Sequence, residues 1–271
     1  MSGLGRAPLL GRLTASARAL PDFLVIGAQR SGTTVLFDAL SQHPDVRAAS
    51  RKEVHYFDLN HGRGVAWYRA FFPLRRRGGV VGEATPYYLA HPLAADRAAA
   101  ALPDLRLVAI LREPVDRAWS HWRWNTAAGR EHLSFAEALR VEDDRLRGEE
   151  ARLLAGDDAS DQPHQHVSYL ERGRYANQLD RWSERFPAGA LVVVRHEDLV
   201  GDADRTLTRV HAHLGLSGAP VAVPKWTPGG LGPTTDERAL AAELLGDAPA
   251  QLKERYGIRW DPPIEHDQGL G

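Results

Sequence analysis

Short apolar runs alternate with amphipathic segments along most of the chain. Four runs are rich in branched aliphatic residues and have strand length, which is typical of strands buried on both faces of a parallel sheet. They are FLVIG at 23–27, GVVGE at 79–83, LRLVAIL at 105–111 and ALVVVR at 190–195. Helical patterns fall at 33–42, 92–102, 114–129, 175–186 and 203–214, with a last one near 235–255. The alternation predicts an α/β fold with a central parallel sheet flanked by helices.

One charged stretch interrupts this alternation. Residues 142–161, EDDRLRGEEARLLAGDDASD, are dense in charge and contain no aromatic residue. Such a composition is typical of a solvated helix and loop. The alternative is a lid or a substrate-facing insertion over 142–166.

Composition narrows the class of protein. The chain has 271 residues, of which 43% are hydrophobic, and this is enough for one large domain. We expect the domain at 21–262, between a flexible leader at 1–20 and a flexible tail at 263–271. Lys and Arg total 34 while Asp and Glu total 35, which excludes an overall basic field of the kind that concentrates nucleic acid. Binding of a polyanion would therefore need a local patch.

The sequence also bears on the compartment. The chain has no cysteine, which excludes disulfides and thiolate metal sites and fits a reducing environment. The first 20 residues lack the apolar block of a secretory signal, and no stretch approaches the ~20 apolar residues of a membrane span. We therefore expect a cytoplasmic protein without a membrane span, of open oligomeric state.

The first predicted strand runs through a glycine-containing turn, GAQRSGTT at 27–34, into a helix. Backbone N–H groups and the positive end of the helix dipole converge there, which favours an anion. A nucleotide P-loop has the pattern G-x-x-x-x-G-K-[ST], but Thr33 occupies the lysine position and the cation is Arg30. The turn therefore predicts a single P-loop-like domain that binds a phosphate-bearing ligand. Its candidate ligating residues are Arg30, Ser31, Gly32, Thr33 and Thr34.

A second cationic motif follows the third predicted strand. In LVAILREPVDRAWSHW, at 107–122, Arg112 ends the strand and Ser120 lies about two turns into the next helix. Open α/β sheets bind ligands at the carboxyl ends of their strands. Arg112 and Ser120 are therefore candidates for a second anion site.

Together, the two motifs resemble those of the sulfotransferases that use 3′-phosphoadenosine 5′-phosphosulfate (PAPS). In that family the first loop holds the 5′-phosphosulfate, and an Arg with a Ser eight residues later holds the 3′-phosphate. The resemblance covers about residues 21–200. It extends to segments of the heparan-sulfate-type branch and its bacterial relatives, at KEVHYFD (52–58), GEATPYYL (82–89) and RGRYANQLDRWSERFP (172–187).

This resemblance implies the reaction and its substrates. PAPS would be the donor co-substrate, without a metal. The acceptor would be a hydroxyl, or an amine, of a carbohydrate or small natural product.

The resemblance also implies catalytic roles. Glu53 matches the glutamate that acts as base in the heparan-sulfate-type enzymes, and His55 is the competing base because histidine serves in other branches. Arg30 and Lys52 are suited to neutralise the bridging oxygen as the bond to sulfur breaks. The family commonly has Lys where this chain has Arg30. Because a guanidinium keeps its proton near neutral pH, Arg30 would stabilise charge without moving a proton.

Further contacts are implied around the two substrates. Tyr175 would contact the nucleotide, and Lys225, in PKWTPGGLGPTT at 224–235, would lie in a loop that covers it. The acceptor would lie near residues of the GEATPYYL segment, namely Glu83, Thr85 and Tyr87.

Two other functions remain open. A P-loop kinase that uses ATP is disfavoured by the missing lysine. A catalytically silent nucleotide-binding module requires Glu53 and Lys52 to point away from the anion-binding loop.

Overall fold

The computed structural model describes residues 7–157, 163–218, 221–223 and 231–260. Its sheet has five parallel strands in the order β2-β3-β1-β4-β5. The strands are β1 Phe23–Gly27, β2 Val46–Ala48, β3 Val80–Ala84, β4 Arg106–Leu111 and β5 Leu191–Arg195. All four predicted strands are present, and the predicted fold class is confirmed. β2 was not predicted, because it is a three-residue edge strand with only one buried residue.

Helices cover both faces of the sheet. Within the described ranges, none is long and apolar enough to cross a membrane. They are α1 Leu9–Leu13, α2 Thr33–Ser41, α3 Val65–Arg69, α4 Ala94–Ala101, α5 Pro114–Ala127, α6 Phe135–Arg140, α7 Glu142–Leu146, α8 Glu149–Leu154, α9 Pro163–His166, α10 Tyr175–Ser183, α11 His196–Gly201, α12 Ala203–Leu214, α13 Thr235–Leu245 and α14 Ala248–Tyr256.

One helix prediction is wrong. The pattern near 235–255 predicted a single helix, but α13 ends at Leu245 and α14 begins at Ala248. Gly246 between them has a φ of 54°, in the left-handed region that a helix interior does not allow. The glycine therefore ends α13 and redirects the chain.

Alternate residues of the strands separate the core into two layers. Phe23 and Val25 of β1 pack with α2, α11 and α12 on one face. Leu24 and Ile26 of the same strand pack with α3, α4, α10 and α14 on the other. The central strands are therefore buried on both faces, which explains their continuous apolar sequence. A smaller cluster joins α5, α6 and α13 beside the sheet.

The segment predicted as a flexible leader contacts the domain in the part that the structure describes. Gly11 of α1 is buried so tightly that a Cβ atom there would lie 2.2 Å from the carbonyl oxygen of Ala70. Arg18 forms an antiparallel bridge with Leu74 and donates a hydrogen bond to the carbonyl of Phe72. Residues 7–20 therefore pack on the domain, while its limits at 21 and 262 stay predictions and the tail lies outside the described residues.

In its described part, 142–157, the charged stretch forms α7 and α8 and is only partly solvated. Glu142 is buried and accepts hydrogen bonds from the N–H groups of Leu170 and Glu171 at 2.8–2.9 Å. Leu153 is fully buried. The described part thus packs on the protein, and a role as a lid stays a prediction.

Gly82 of β3 provides a test of this packing. A Cβ atom there would lie 2.1–2.7 Å from three carbons of the Phe23 ring on the neighbouring strand. Gly82→Ala should therefore lower the free energy of unfolding in urea by about 1–3 kcal/mol. The matched control is Gly201→Ala, where an added Cβ meets nothing within 4 Å. Equal effects of the two substitutions would contradict the close contact.

Candidate active site

The two predicted anion-binding motifs meet at the carboxyl edge of the sheet. From β1 the chain continues to β2 and β3 on one side, and it later returns to β4 and β5 on the other. The ends of β1 and β4 thus flank the point where the strand order reverses, which is where open α/β sheets bind ligands. β1 leads into the loop at 27–34 and α2, and β4 leads into Arg112 and α5.

Close packing explains both glycines of the loop at 27–34. A Cβ atom on Gly27 would lie 2.6 Å from Cβ of Leu89. Gly32 caps α2 with a φ of 91°, and a Cβ atom there would lie 2.8 Å from Nδ1 of His196. The loop is therefore held between two other segments of the chain.

Cations line this edge. Arg30 Nε donates a hydrogen bond to Ser120 Oγ at 3.2 Å, which joins the loop to α5. Desolvation and the positive charge of Arg112 lower the pKa of Arg30. An anion between two neighbouring guanidinium groups would relieve this repulsion. In the part of the chain that the structure describes, no group of three or more His, Asp or Glu side chains could hold a metal ion.

The hydroxyl groups of the loop divide between core and surface. Ser31 is fully buried, its N–H donates to the carbonyl of Ala28 at 3.2 Å, and its hydroxyl lies beside Tyr175. Thr33 is also buried, whereas Thr34 is exposed. Among the three predicted hydroxyl donors, Thr34 is therefore the accessible one.

Lys52 connects this loop to the segment that carries the predicted base. Its Nζ donates a hydrogen bond to Thr34 Oγ1 and lies 3.9 Å from Glu53 Oε1. The N–H of Glu53 donates to the carbonyl of Ala84 at 3.0 Å, which anchors the segment at the end of β3. Lys52 and Glu53 thus lie beside the anion-binding loop.

Backbone strain is concentrated in the same place. Arg30, Glu53 and His55 have φ values of 68°, 57° and 56°, and they are the non-glycine residues with positive φ in the described ranges. Such conformations cost about 1–3 kcal/mol each and cluster at functional sites. All three were predicted to be catalytic from the sequence.

The charges of this segment distinguish the two candidate bases. His55 Nδ1 lies 2.8 Å from Asp58 Oδ2, and its Nε2 lies 3.7 Å from Glu53 Oε2. Burial would lower the pKa of His55, but the two carboxylates outweigh it and raise that pKa to about 10. Burial would raise the pKa of Glu53, but His55 and Lys52 outweigh it and lower that pKa. At neutral pH His55 therefore keeps its proton, whereas Glu53 is ionised and able to accept one.

The residues predicted to contact the acceptor lie beneath the site, which corrects the sequence interpretation. Glu83, Thr85 and Tyr87 are each exposed by 3% or less. Glu83 accepts hydrogen bonds from the hydroxyls of Tyr68, Thr85 and Tyr88, the last two at 2.5 and 2.9 Å. Burial raises the pKa of Glu83 in spite of these bonds. Because the end of β3 is covered, these side chains support the site instead of facing the acceptor.

Two of these buried residues reach other parts of the site. Thr85 Oγ1 accepts a hydrogen bond from the N–H of His55 at 3.4 Å. The Tyr87 hydroxyl lies 2.8 Å from Nδ1 of His164. They therefore position neighbouring segments.

Tyr175, predicted to contact the nucleotide, also needs correction. Its side chain is fully buried, and its hydroxyl donates to the carbonyl of Arg112 at 2.8 Å. It therefore acts through the backbone of Arg112. Lys225, the other predicted nucleotide contact, lies outside the described residues.

Three residues near the site were missed. Asp58, three residues after His55, ends the KEVHYFD motif, and that spacing was the available signal. Arg172 is buried, donates to the side chain of Gln29 in the loop, and was marked only by its place in the RGRY motif. His196 directly follows β5 at the same sheet edge, and burial and then the charge of Arg112 lower its pKa. Burial of these charged or polar groups is invisible in the sequence.

Comparisons with known proteins agree with this geometry. A family model for the sulfotransferase domain matches residues 20–223. The chain is 35% identical over 202 residues to heparan sulfate glucosamine 3-O-sulfotransferase 3B1 of Mus musculus, which covers 74% of this chain and 48% of that protein. It is 33% identical over 204 residues to heparan sulfate glucosamine 3-O-sulfotransferase 3A1 of Homo sapiens, covering 75% and 46%. The chain thus spans about half the length of these relatives.

A solved structure extends the likeness. The crystal structure of a sulfotransferase from Alicyclobacillus acidocaldarius matches with a TM-score of 0.70 and 29% identity. The match covers 87% of this chain and 95% of that one. The similarity therefore includes nearly the whole of that bacterial protein.

The protonation of His55 can be tested directly. An NMR titration of its ring should show a transition near pH 10, instead of near the 6.5 of an ordinary histidine. Because the folded-state pKa is the higher one, its stabilising contribution is complete below pH 6.5 and is lost as pH rises towards 10. Asp58→Asn should move the transition towards 6.5 and flatten this loss of stability. A wild-type transition near 6.5 would restore His55 as a candidate base.

Proposed function

Because the chain belongs to the sulfotransferase family, we propose that it transfers the sulfuryl group of PAPS to a hydroxyl of a carbohydrate. The observation that carries the proposal is the position of Lys52, which bonds to Thr34 of the anion-binding loop and lies 3.9 Å from Glu53. Glu53, a carboxylate able to accept a proton, thus lies beside a cationic site that contains Arg30 and Arg112. A catalytically silent module would need the side chains of Lys52 and Glu53 to point away from the loop, and they do not.

This cationic site fits a ligand with two anionic groups. Arg30, Thr34 and the N-terminus of α2 would hold the 5′-phosphosulfate, and Arg112 with Ser120 would hold the 3′-phosphate. The hydrogen bond from Arg30 to Ser120 supports this assignment, because it places the two sets of residues close enough to contact one small molecule. The mutual repulsion of Arg30 and Arg112 also favours a polyanionic occupant.

Each catalytic side chain has a role that follows from its charge. PAPS supplies the sulfuryl group when bound. Glu53 accepts the proton of the acceptor hydroxyl, and Lys52 with protonated His55 keeps Glu53 ionised. Lys52 and Arg30 offset the negative charge that develops on the bridging oxygen. Asp58 holds the imidazolium of His55 and so positions Glu53 indirectly.

The class of acceptor rests on the relatives. The two relatives described above, 35% and 33% identical, are named as heparan sulfate glucosamine 3-O-sulfotransferases, which supports a carbohydrate hydroxyl. The cytoplasmic location expected from the sequence stays a prediction.

Arg112 tests the donor site. Charge-assisted hydrogen bonds contribute on the order of 1.5–3 kcal/mol each, so Arg112→Ala should weaken binding of 3′,5′-bisphosphoadenosine at least about tenfold by calorimetry. The matched control is Arg123→Ala, an exposed arginine of the helix that follows Arg112, α5. Unchanged affinity in Arg112→Ala would remove this residue from the site.

Greater thermal stabilisation by magnesium-ATP than by metal-free bisphosphoadenosine would favour a kinase.

Glu53 tests the chemistry. Glu53→Gln keeps the size of the side chain but removes the base, so kcat for sulfation of a carbohydrate acceptor should fall by about 10² to 10⁴-fold while the nucleotide Kd persists. Turnover would be measured with PAPS and an acceptor identified from a carbohydrate panel. His55→Asn is the comparison variant. Near-normal turnover in Glu53→Gln with a collapse in His55→Asn would assign the base to His55 instead.

A further inference from the structure

Four exposed leucines lie on adjoining segments at one side of the molecule. In α1, Leu9, Leu10 and Leu13 are 73%, 69% and 76% exposed. Leu74, which pairs with Arg18 in the antiparallel bridge after α1, is 55% exposed. Isolated surface leucines are ordinary, but three exposed leucines in one five-residue helix, with a fourth on the adjoining segment, are typical of an interaction surface.

The seating of α1 explains why its leucines face outward. Gly11 is buried against Ala70, the residue after α3, with no room for a side chain. Leu9 and Leu13 are four residues apart and therefore share one side of the helix, and each is two residues from Gly11, about 200° around the axis. The close contact at Gly11 thus directs these two leucines away from the protein.

Positive charge surrounds the leucines. Segments 1–21 and 59–82 contain no Asp or Glu, although the whole chain is nearly balanced, with 34 basic and 35 acidic residues. The two segments are joined by hydrogen bonds from the N–H and Nε of Arg75 to the carbonyls of Ala17 and Arg18, at 2.9 and 3.1 Å. In the described part of these segments the exposed arginines are Arg12, Arg63, Arg75, Arg76 and Arg77.

Of the acidic residues that flank these segments, Asp58 and Glu83 are fully buried. Asp22 lies just before β1 and accepts a hydrogen bond from the N–H of Val81 at 2.7 Å. Asp45 lies just before β2 and is exposed, and its backbone carbonyl accepts a hydrogen bond from the N–H of Val80 at 2.7 Å. Arg12, Arg75, Arg76 and Arg77 outnumber these two exposed acidic residues. With the four leucines they form a basic and apolar surface, here called the leucine–arginine face.

We propose that the leucine–arginine face binds the surface of a membrane that contains anionic lipids. The leucines would enter the boundary between headgroups and acyl chains, while the arginines contact lipid phosphates, which is the pattern of interfacial membrane binding. A sulfated polysaccharide would match the arginines but would leave the leucines in water. This surface contact needs no membrane span, and it is independent of the proposed sulfotransferase activity.

Vesicle co-sedimentation of the full chain tests the proposal. The protein should bind vesicles of phosphatidylcholine with phosphatidylserine, bind phosphatidylcholine alone more weakly, and lose binding as salt rises. Leu9→Ser/Leu13→Ser should lower the partition coefficient about tenfold or more. Leu154→Ser is the matched control, because Leu154 is 55% exposed on the remote helix α8.

The arginines are tested separately. Arg76→Gln/Arg77→Gln should lower partitioning into anionic vesicles by about tenfold or more, whereas Arg205→Gln/Arg209→Gln, an exposed pair on α12, should leave it unchanged. Circular dichroism and thermal stabilisation by 3′,5′-bisphosphoadenosine would show that each variant is folded.

Three results would overturn the proposal. The first is no binding of the wild-type chain to anionic vesicles. The second is binding to soluble heparin that needs the arginines, combined with vesicle binding that ignores the leucines, which would assign the face to a polysaccharide. The third is a dimer in light scattering that Leu9→Ser/Leu13→Ser dissociates while vesicle binding persists, which would assign the face to self-association.

Discussion

A buried carboxylate at the end of β3 determines the shape of the candidate active site. Glu83 is fully buried and accepts hydrogen bonds from Tyr68, Thr85 and Tyr88. Thr85 in turn accepts from the N–H of His55, and the Tyr88 hydroxyl accepts from the N–H of Tyr56 at 2.8 Å. A buried carboxylate without hydrogen-bond partners would be costly, and the three hydroxyl donors offset this cost for Glu83. Through Thr85 and Tyr88 the same network holds the backbone of His55 and Tyr56 in place.

These hydrogen bonds offset the backbone strain of the segment at 52–58, which carries the proposed base. Glu53 and His55 both have positive φ, a conformation that persists only where the surroundings determine it. The resulting geometry places Asp58, His55, Glu53 and Lys52 in a row of alternating charge that ends at the anion-binding loop. Asp58 and Glu53 favour the protonated form of His55, and His55 and Lys52 favour the ionised form of Glu53. The fold thus fixes the charges around the proposed base.

The arginines are unevenly distributed over the molecule, although its net charge is close to zero. Arg30 and Arg112 lie at the carboxyl edge of the sheet, between the loop at 27–34 and α5, where we propose that the donor binds. Another group surrounds the exposed leucines of α1 and lies open to solvent. Arginine thus has two proposed roles in this protein, one in binding a small anion and one in binding lipid phosphates. The surroundings distinguish the two roles, since one set of arginines lies at the edge of the sheet and the other beside exposed leucines.

Local patterns in the sequence were enough to predict the α/β fold, four of the five strands and the two motifs that meet at the carboxyl edge, because strand periodicity and the turns after β1 and β4 are local properties. Resemblance to a family favoured Glu53 over His55. The burial of Glu83, Thr85, Tyr87 and Tyr175, the protonation of His55 and the packing of α1 through Gly11 became visible only in the folded chain. Burial and pKa depend on neighbours distant in sequence, such as Tyr68 for Glu83 or Ala70 for Gly11, and no local pattern encodes those contacts.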